Sequence, residues 1–235
     1  MNQVTSSKRA ADERGHTDIS WLDSRHTFSF GDFHDPEQMA FRVLRVINDD
    51  RVLPGHGFPT HPHRDMEILS YVVSGELTHR DSMGHTRTVG AGQVQYMSAG
   101  TGVTHSEFNA SATEPVHLLQ IWIMPRARSL KPDYREWSAP QKPSGPLALI
   151  ASPDGREGSL PIRQDVQMYV GELKAGESVT HGTRAERGLW LQVISGGLEA
   201  GGERLRAGDG LAIEGVTAAE IRAESDARFL LFDLP

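Results

Sequence analysis

Cysteine is absent from the 235 residues, which removes disulfides, thiolate metal sites, iron–sulfur clusters and cysteine nucleophiles, and fits a reducing compartment. Aromatic residues are sparse, at 7%. No apolar run nears the roughly 18 residues of a membrane helix; the densest, 118–124, is seven long and contains Gln120, so it predicts a buried strand. Positive charge is in deficit: 24 basic against 31 acidic residues give a net charge of −7. That field opposes a phosphate backbone, so no direct nucleic-acid ligand and no membrane partner are expected. The first eighteen residues are polar and lack the apolar core of a signal peptide, so the expected location is the cytoplasm.

Glycine (24) and proline (13) are plentiful, as turn-rich β folds require. From Phe41 onward, short β-branched and aromatic segments alternate with Gly, Pro and Asp clusters, at 41–47, 66–73, 92–97 and 116–123. This is the rhythm of an antiparallel sandwich or barrel. It stops between Pro125 and Pro146, where five prolines gather around Tyr134 and Trp137, and resumes at 147–151, 167–173, 189–194, 210–213 and 228–233. The expected organisation is a polar tail over 1–18, a first β domain over 19–128, a Pro-rich linker over 129–146 and a second β domain over 147–235. The domains repeat one another: Val73-Ser74-Gly75-Glu76-Leu77 and Gly92 have counterparts in Ile194-Ser195-Gly196-Gly197-Leu198 and Gly208.

Histidine is distributed unevenly. Of eleven, ten lie between His16 and His117, and His181 alone lies beyond. His61-Pro62-His63 offers two imidazoles at i and i+2, one face of a strand, and His105-Ser106-Glu107 offers an imidazole and a carboxylate in the same way. Together they supply an N3O donor set that suits Fe, Cu, Ni, Mn, Co or Zn and leaves coordination positions open for chemistry. Glu67, four residues after His63, is an alternative carboxylate donor, and spacing alone does not decide between it and Glu107.

Gly55-x5-His61-x-His63-x3-Glu67, with a later Gly92…His105-x3-Asn109, resembles the two-part signature of the cupins, a jelly-roll superfamily. The stretches Gly57-Phe58-Pro59-Thr60-His61-Pro62-His63-Arg64-Asp65-Met66-Glu67 and Met97-Ser98-Ala99-Gly100-Thr101-Gly102-Val103-Thr104-His105-Ser106-Glu107-Phe108-Asn109 closely resemble the pirin family, in particular its bacterial quercetin 2,3-dioxygenase group. His26-Thr27-Phe28-Ser29-Phe30-Gly31-Asp32, Leu44-Arg45-Val46-Ile47-Asn48 and His79-Arg80-Asp81-Ser82 extend the match, and Pro59 departs from the glycine common there.

The resemblance implies an all-β bicupin, two double-stranded β-helix domains in tandem. It further implies one divalent metal, Fe(II) first, held in the N-terminal cupin by His61, His63, His105 and Glu107. Glu67 then falls to a supporting position, orienting an imidazole. The implied activity is ring opening of a flavonol such as quercetin with O2 and release of carbon monoxide, with Glu107 as general base. An alternative from another class is a metal- and redox-responsive regulator that binds a protein partner. A monomer is expected, because two cupins already share one chain.

Counting from the paired glycines puts His61 opposite Gly182, next to His181, His63 opposite Arg184, His105 opposite Ile221 and Glu107 opposite Ala223. The second copy is therefore expected to hold no metal. His26, His34, His56, His79, His85 and His117 are expected in loops or satisfied strands, with His56 as a candidate cavity residue. Trp122 and Met124 are expected to pack in the core.

Overall fold

The computed structural model describes residues 4–139 and 145–235. Its elements are strands, joined by single-turn 3-10 helices at Ala11–Glu13 and Arg156–Gly158. No described helix is long and apolar enough to cross a membrane. Two compact units divide the chain: Gly15–Ala139 with Ile162–Gln164, and Met1–Arg14, Pro140–Pro161 and Asp165–Pro235. Each contains one seven-stranded and one four-stranded sheet, the two leaves of a cupin.

In the N-terminal unit every strand pairing is antiparallel. Val116–Ile123 lies inside the larger sheet between Leu44–Val52 and Glu67–Ser74, and its residues are mostly buried. This accounts for an apolar run in place of strict alternation. The smaller sheet runs Gly57–His63, Val103–Asn109, Glu76–Asp81, Thr86–Gly90, and its inner face carries the histidines. One apolar cluster includes Leu22, Val72, Leu77 and Leu118; another gathers Ile68, Met97 and Val103.

The C-terminal unit repeats the arrangement with an apolar interior, in which Leu189, Leu191, Leu205, Ile221, Phe229 and Leu231 belong to one continuous cluster. Strand pairing corrects the residue correspondence obtained by counting. Asn109 pairs with Leu77 and Glu107 with His79, whereas Ala223 pairs with Leu198 and Ile221 with Ala200. Because Leu77 and Leu198 both lie two residues beyond the paired glycines, Glu107 corresponds to Ile221 and His105 to Ala219. His61, the partner of His105, corresponds to His181, the partner of Ala219. Counting missed by two residues because the stretch from Gly208 to Ala223 is two residues shorter than its counterpart from Gly92 to Asn109.

Two segments expected to be irregular form strands. Thr5–Arg9, in the stretch read as a tail, pairs antiparallel with Gly210–Glu214 at the edge of the C-terminal sheet, and Gly15–Ile19 is the outer strand of the N-terminal one. Thr-Ser-Ser-Lys-Arg has no alternating apolar pattern; its backbone hydrogen bonds to an open sheet edge define it. Asp133–Ser138, in the stretch read as a linker, pairs with Gln93–Ser98 and buries Trp137. The rest of the proline cluster, 140–144, falls outside the described residues.

Asp209 secures the N-terminal strand. Its buried carboxylate accepts the Ala11 N–H at 2.8 Å and the Arg206 N–H at 3.0 Å, and pairs with Lys8 Nζ at 2.9 Å. Asp209→Ala leaves these donors unmatched, so a loss of about 3 kcal/mol is expected in denaturant unfolding.

Candidate metal centre

The centre is built by strand register. His105 pairs with His61 and Val103 with His63, so the two motifs, 44 residues apart at His61 and His105, meet side by side. A β-bulge lies between His105 and Glu107, where Glu107 pairs with Phe58. Gly57 permits this approach: a Cβ there would lie 2.2 Å from the Glu107 carbonyl oxygen and 2.5 Å from Phe108 Cα.

One candidate donor atom each from His61, His63 and His105 lies within 4.8 Å of the others. His61 Nε2 and His105 Nε2 are 3.1 Å apart. The Pro59 carbonyl accepts the His61 Nδ1 proton at 2.7 Å, which turns Nε2 toward the neighbouring imidazoles. Burial, reinforced by the neighbouring imidazoles, holds His63 down at about 4 and His105 at about 3. Imidazole nitrogens converging on one point fit a cation, with which their lone pairs would interact favourably.

Glu107 is buried and its carboxylate accepts hydrogen bonds from Ser70 at 2.8 Å, Gln120 at 2.7 Å and Gln95. It lies outside the three-imidazole group and forms a second buried group with His105 and His79. Glu67 points elsewhere: its oxygens accept from Tyr96, from Ser98 at 2.7 Å and from the Arg163 N–H at 3.1 Å. It anchors the returning segment 162–164 and, among the described residues, makes no hydrogen bond to an imidazole, unlike the orienting role expected of it.

A cavity of about 260 Å³ opens on His61, His63 and Glu107. Leu22, Phe30, Phe58 and Trp122 form its apolar side, and Ser24, His26, Asn48, Asp50 and Gln120 its polar side. Trp122, expected to be core, has its ring 4.9 Å from that of His63 and a buried Nε1 without a hydrogen-bond partner among the described residues. His56 stacks on Trp21 and is absent from the cavity lining. Asp50 is a group that spacing could not reveal: burial pushes its carboxyl up to about 7 against the hydrogen bond from Ser24, with Asp49, Glu107 and Asp23 adding to the rise. His79, given no role from the sequence, is fully buried beside His105, with 3.4 Å between their Nδ1 atoms.

A family model described as Pirin matches residues 7–123, and one described as Quercetinase C-terminal cupin domain matches residues 149–234. The quercetin 2,3-dioxygenase of Escherichia coli (strain K12) is 50% identical over 229 residues, 97% of each chain. The chain belongs to the pirin family. A putative quercetin 2,3-dioxygenase of Pseudomonas aeruginosa is 41% identical over 229 residues, 97% of this chain and 98% of the relative. The crystal structure of YhhW from Escherichia coli matches with a TM-score of 0.95 at 48% identity, covering 98% of both chains. The same bacterial pirin in complex with nickel(II) matches with a TM-score of 0.93, covering 98% of this chain and 99% of its own. The bicupin architecture is thus that of the pirins.

In this pirin, the folded values of His63 and His105 lie below the 6.5 of an ordinary imidazole. As the pH falls, the unfolded chain takes up protons first. The metal-free protein is therefore expected to lose stability from about 6.5 down to about 4 for His63 and about 3 for His105. Urea midpoints across that range check this, and His63→Ala should flatten the dependence.

Proposed function

We propose that this chain is a metal-dependent dioxygenase that opens the heterocyclic ring of a flavonol such as quercetin with O2 and releases carbon monoxide. The carrying observation is the convergence of His61, His63 and His105, the first two of which line a cavity with an aromatic wall. The names of the relatives and the nickel complex of YhhW support the reading. In it the three imidazoles and Glu107 would hold one divalent ion, Fe(II) or Ni(II), whose charge would lower the pKa of a substrate hydroxyl.

The protein's own contributions follow from its side chains. Phe30, Phe58 and Trp122 offer faces and edges to a planar aromatic substrate and exclude water. The orphan Trp122 Nε1 is a donor available to a substrate oxygen after a small movement of the ring. Glu107, placed by Ser70, Gln95 and Gln120, accepts the proton of the bound hydroxyl at a carboxylate oxygen. Asp50 supplies a second carboxyl in the same cavity, one that changes charge near neutral pH.

Oxygen uptake with quercetin by metal-loaded protein tests the proposal. His61→Ala should remove metal and activity together, and Glu107→Ala should slow turnover at least about 100-fold. Rates equal to the unsubstituted protein overturn the assignment. Asp50→Asn should keep the metal and reshape the pH profile of turnover; an unchanged profile removes Asp50 from the proton inventory.

A further inference from the structure

We propose that His79, itself oriented by Asp81, positions the imidazole of His105 so that its Nε2 faces the metal. This rests on the metal centre described above and adds a layer behind it.

The register brings the groups together. His105 pairs with Asp81 across the Val103–Asn109 and Glu76–Asp81 strands, and Glu107 pairs with His79. His79, His105 and the Asp81 side chain are all buried. The Asp81 Oδ2 atom lies 3.0 Å from His79 Nε2 and 2.9 Å from His85 Nδ1, while Oδ1 accepts the N–H groups of Met83 at 2.9 Å and His85 at 3.0 Å.

The proton positions follow from what each atom can do. An ionised carboxylate only accepts, so His79 Nε2 carries the proton toward Asp81. With a single proton on the ring, the other nitrogen of His79, Nδ1, is an acceptor, and the atom facing it at 3.4 Å is His105 Nδ1. His105 therefore donates from Nδ1, which leaves the lone pair on Nε2, the atom 3.1 Å from His61 Nε2. His61 reaches the same state more simply, by donating from Nδ1 to the Pro59 carbonyl. The two rings thus present Nε2 by different devices, one through a main-chain oxygen and one through a His–Asp pair. Partners of this kind fix ring orientation and raise ligand basicity.

The pair is clamped from behind. Tyr134 stacks on His79, with centroids 4.6 Å apart and planes at 26°, and on His85, at 4.9 Å and 23°. The turn between Asp81 and His85 is closed by the Asp81 carboxylate, so the acceptor that orients His79 is itself held by main-chain donors. His79 also lies with His105 and Glu107 in a group that could take a metal directly. A positioning role and a ligand role make different predictions.

The experiment combines competitive metal titration with the visible spectrum of the Co(II)-loaded protein and the imidazole nitrogen NMR of the Zn(II)-loaded protein. NMR should show His79 protonated at Nε2 and His105 at Nδ1. His79→Ala and Asp81→Asn should weaken Co(II) binding by about 10- to 100-fold with the ligand-field bands shifted yet present. His79→Gln, which keeps an acceptor toward His105, should recover part of that affinity, and His79→Phe, which fills the space without an acceptor, should not. His61→Ala, which removes a donor, is the control for the centre itself. If the unsubstituted protein binds no Co(II), or His61→Ala binds normally, the metal-centre reading fails. If the centre binds but His79→Ala matches the unsubstituted protein, or NMR finds His79 protonated at Nδ1, the positioning role is overturned. Loss of binding in His79→Ala as complete as in His61→Ala, without recovery in His79→Gln, makes His79 a ligand and also overturns it.

Discussion

Converging imidazoles inside a strand sandwich impose the constraint on which the N-terminal unit depends. Three rings meet at ring-centroid distances of 4.5, 4.7 and 4.9 Å. His105 is buried and His61 and His63 half-buried, so a ring nitrogen turned away from the others and from water needs a partner of its own. The backbone of Pro59 meets that demand for His61. The remaining polar interior, with Ser70, Gln95 and Gln120 all aimed at Glu107, meets it for the carboxylate. A polar network of this depth is stable only when nearly complete, which ties folding of the unit to the integrity of the centre.

The two units show what that constraint displaces. At the positions of His105 and Glu107 the C-terminal unit has Ala219 and Ile221, both within its continuous apolar cluster. Each large apolar side chain buried there contributes about 1.5–3 kcal/mol, in place of side chains that must be matched donor by donor. His181, in the place of His61, does not face open space. Its Nε2 is 2.9 Å from Asp233 Oδ2, and the same carboxylate binds Arg187, which also reaches Asp165 at 2.8 Å. The histidine is retained as a hydrogen-bonding partner of a buried ion pair.

Much of this was legible in the sequence. His61-Pro62-His63 and His105-Ser106-Glu107 carry their meaning in an i, i+2 spacing that a strand converts into a shared face, and the paired glycines carry the repeat. What stayed hidden depends on relations between strands. Thr5–Arg9 has no apolar signature because its pairing is made by the main chain. Trp122 and Asp50 reach the cavity wall from separate positions on the larger sheet, and the Asp50 shift arises from burial rather than from a motif. Glu67 shares its strand with core residues and turns to Tyr96 and Ser98 instead of the imidazoles, a choice of face that spacing from His63 does not specify.

His79 is the sharpest case of the difference between spacing and register. In sequence it stands 26 residues before His105, two before an aspartate and six before another histidine, a pattern with no periodic meaning. In the sheet, Asp81 is directly opposite His105 and His79 opposite Glu107, so side chains on a hairpin strand stand behind those of the ligand strand. A strand that offers ligands needs a neighbour to orient them, because the rise along a strand places only alternate residues inward. The partner for an inward ring must then come from the adjacent strand or from a bulge in its own. The Pro59 carbonyl, within a strand whose pairing register shifts, answers this need for His61, and the Glu76–Asp81 strand answers it for His105.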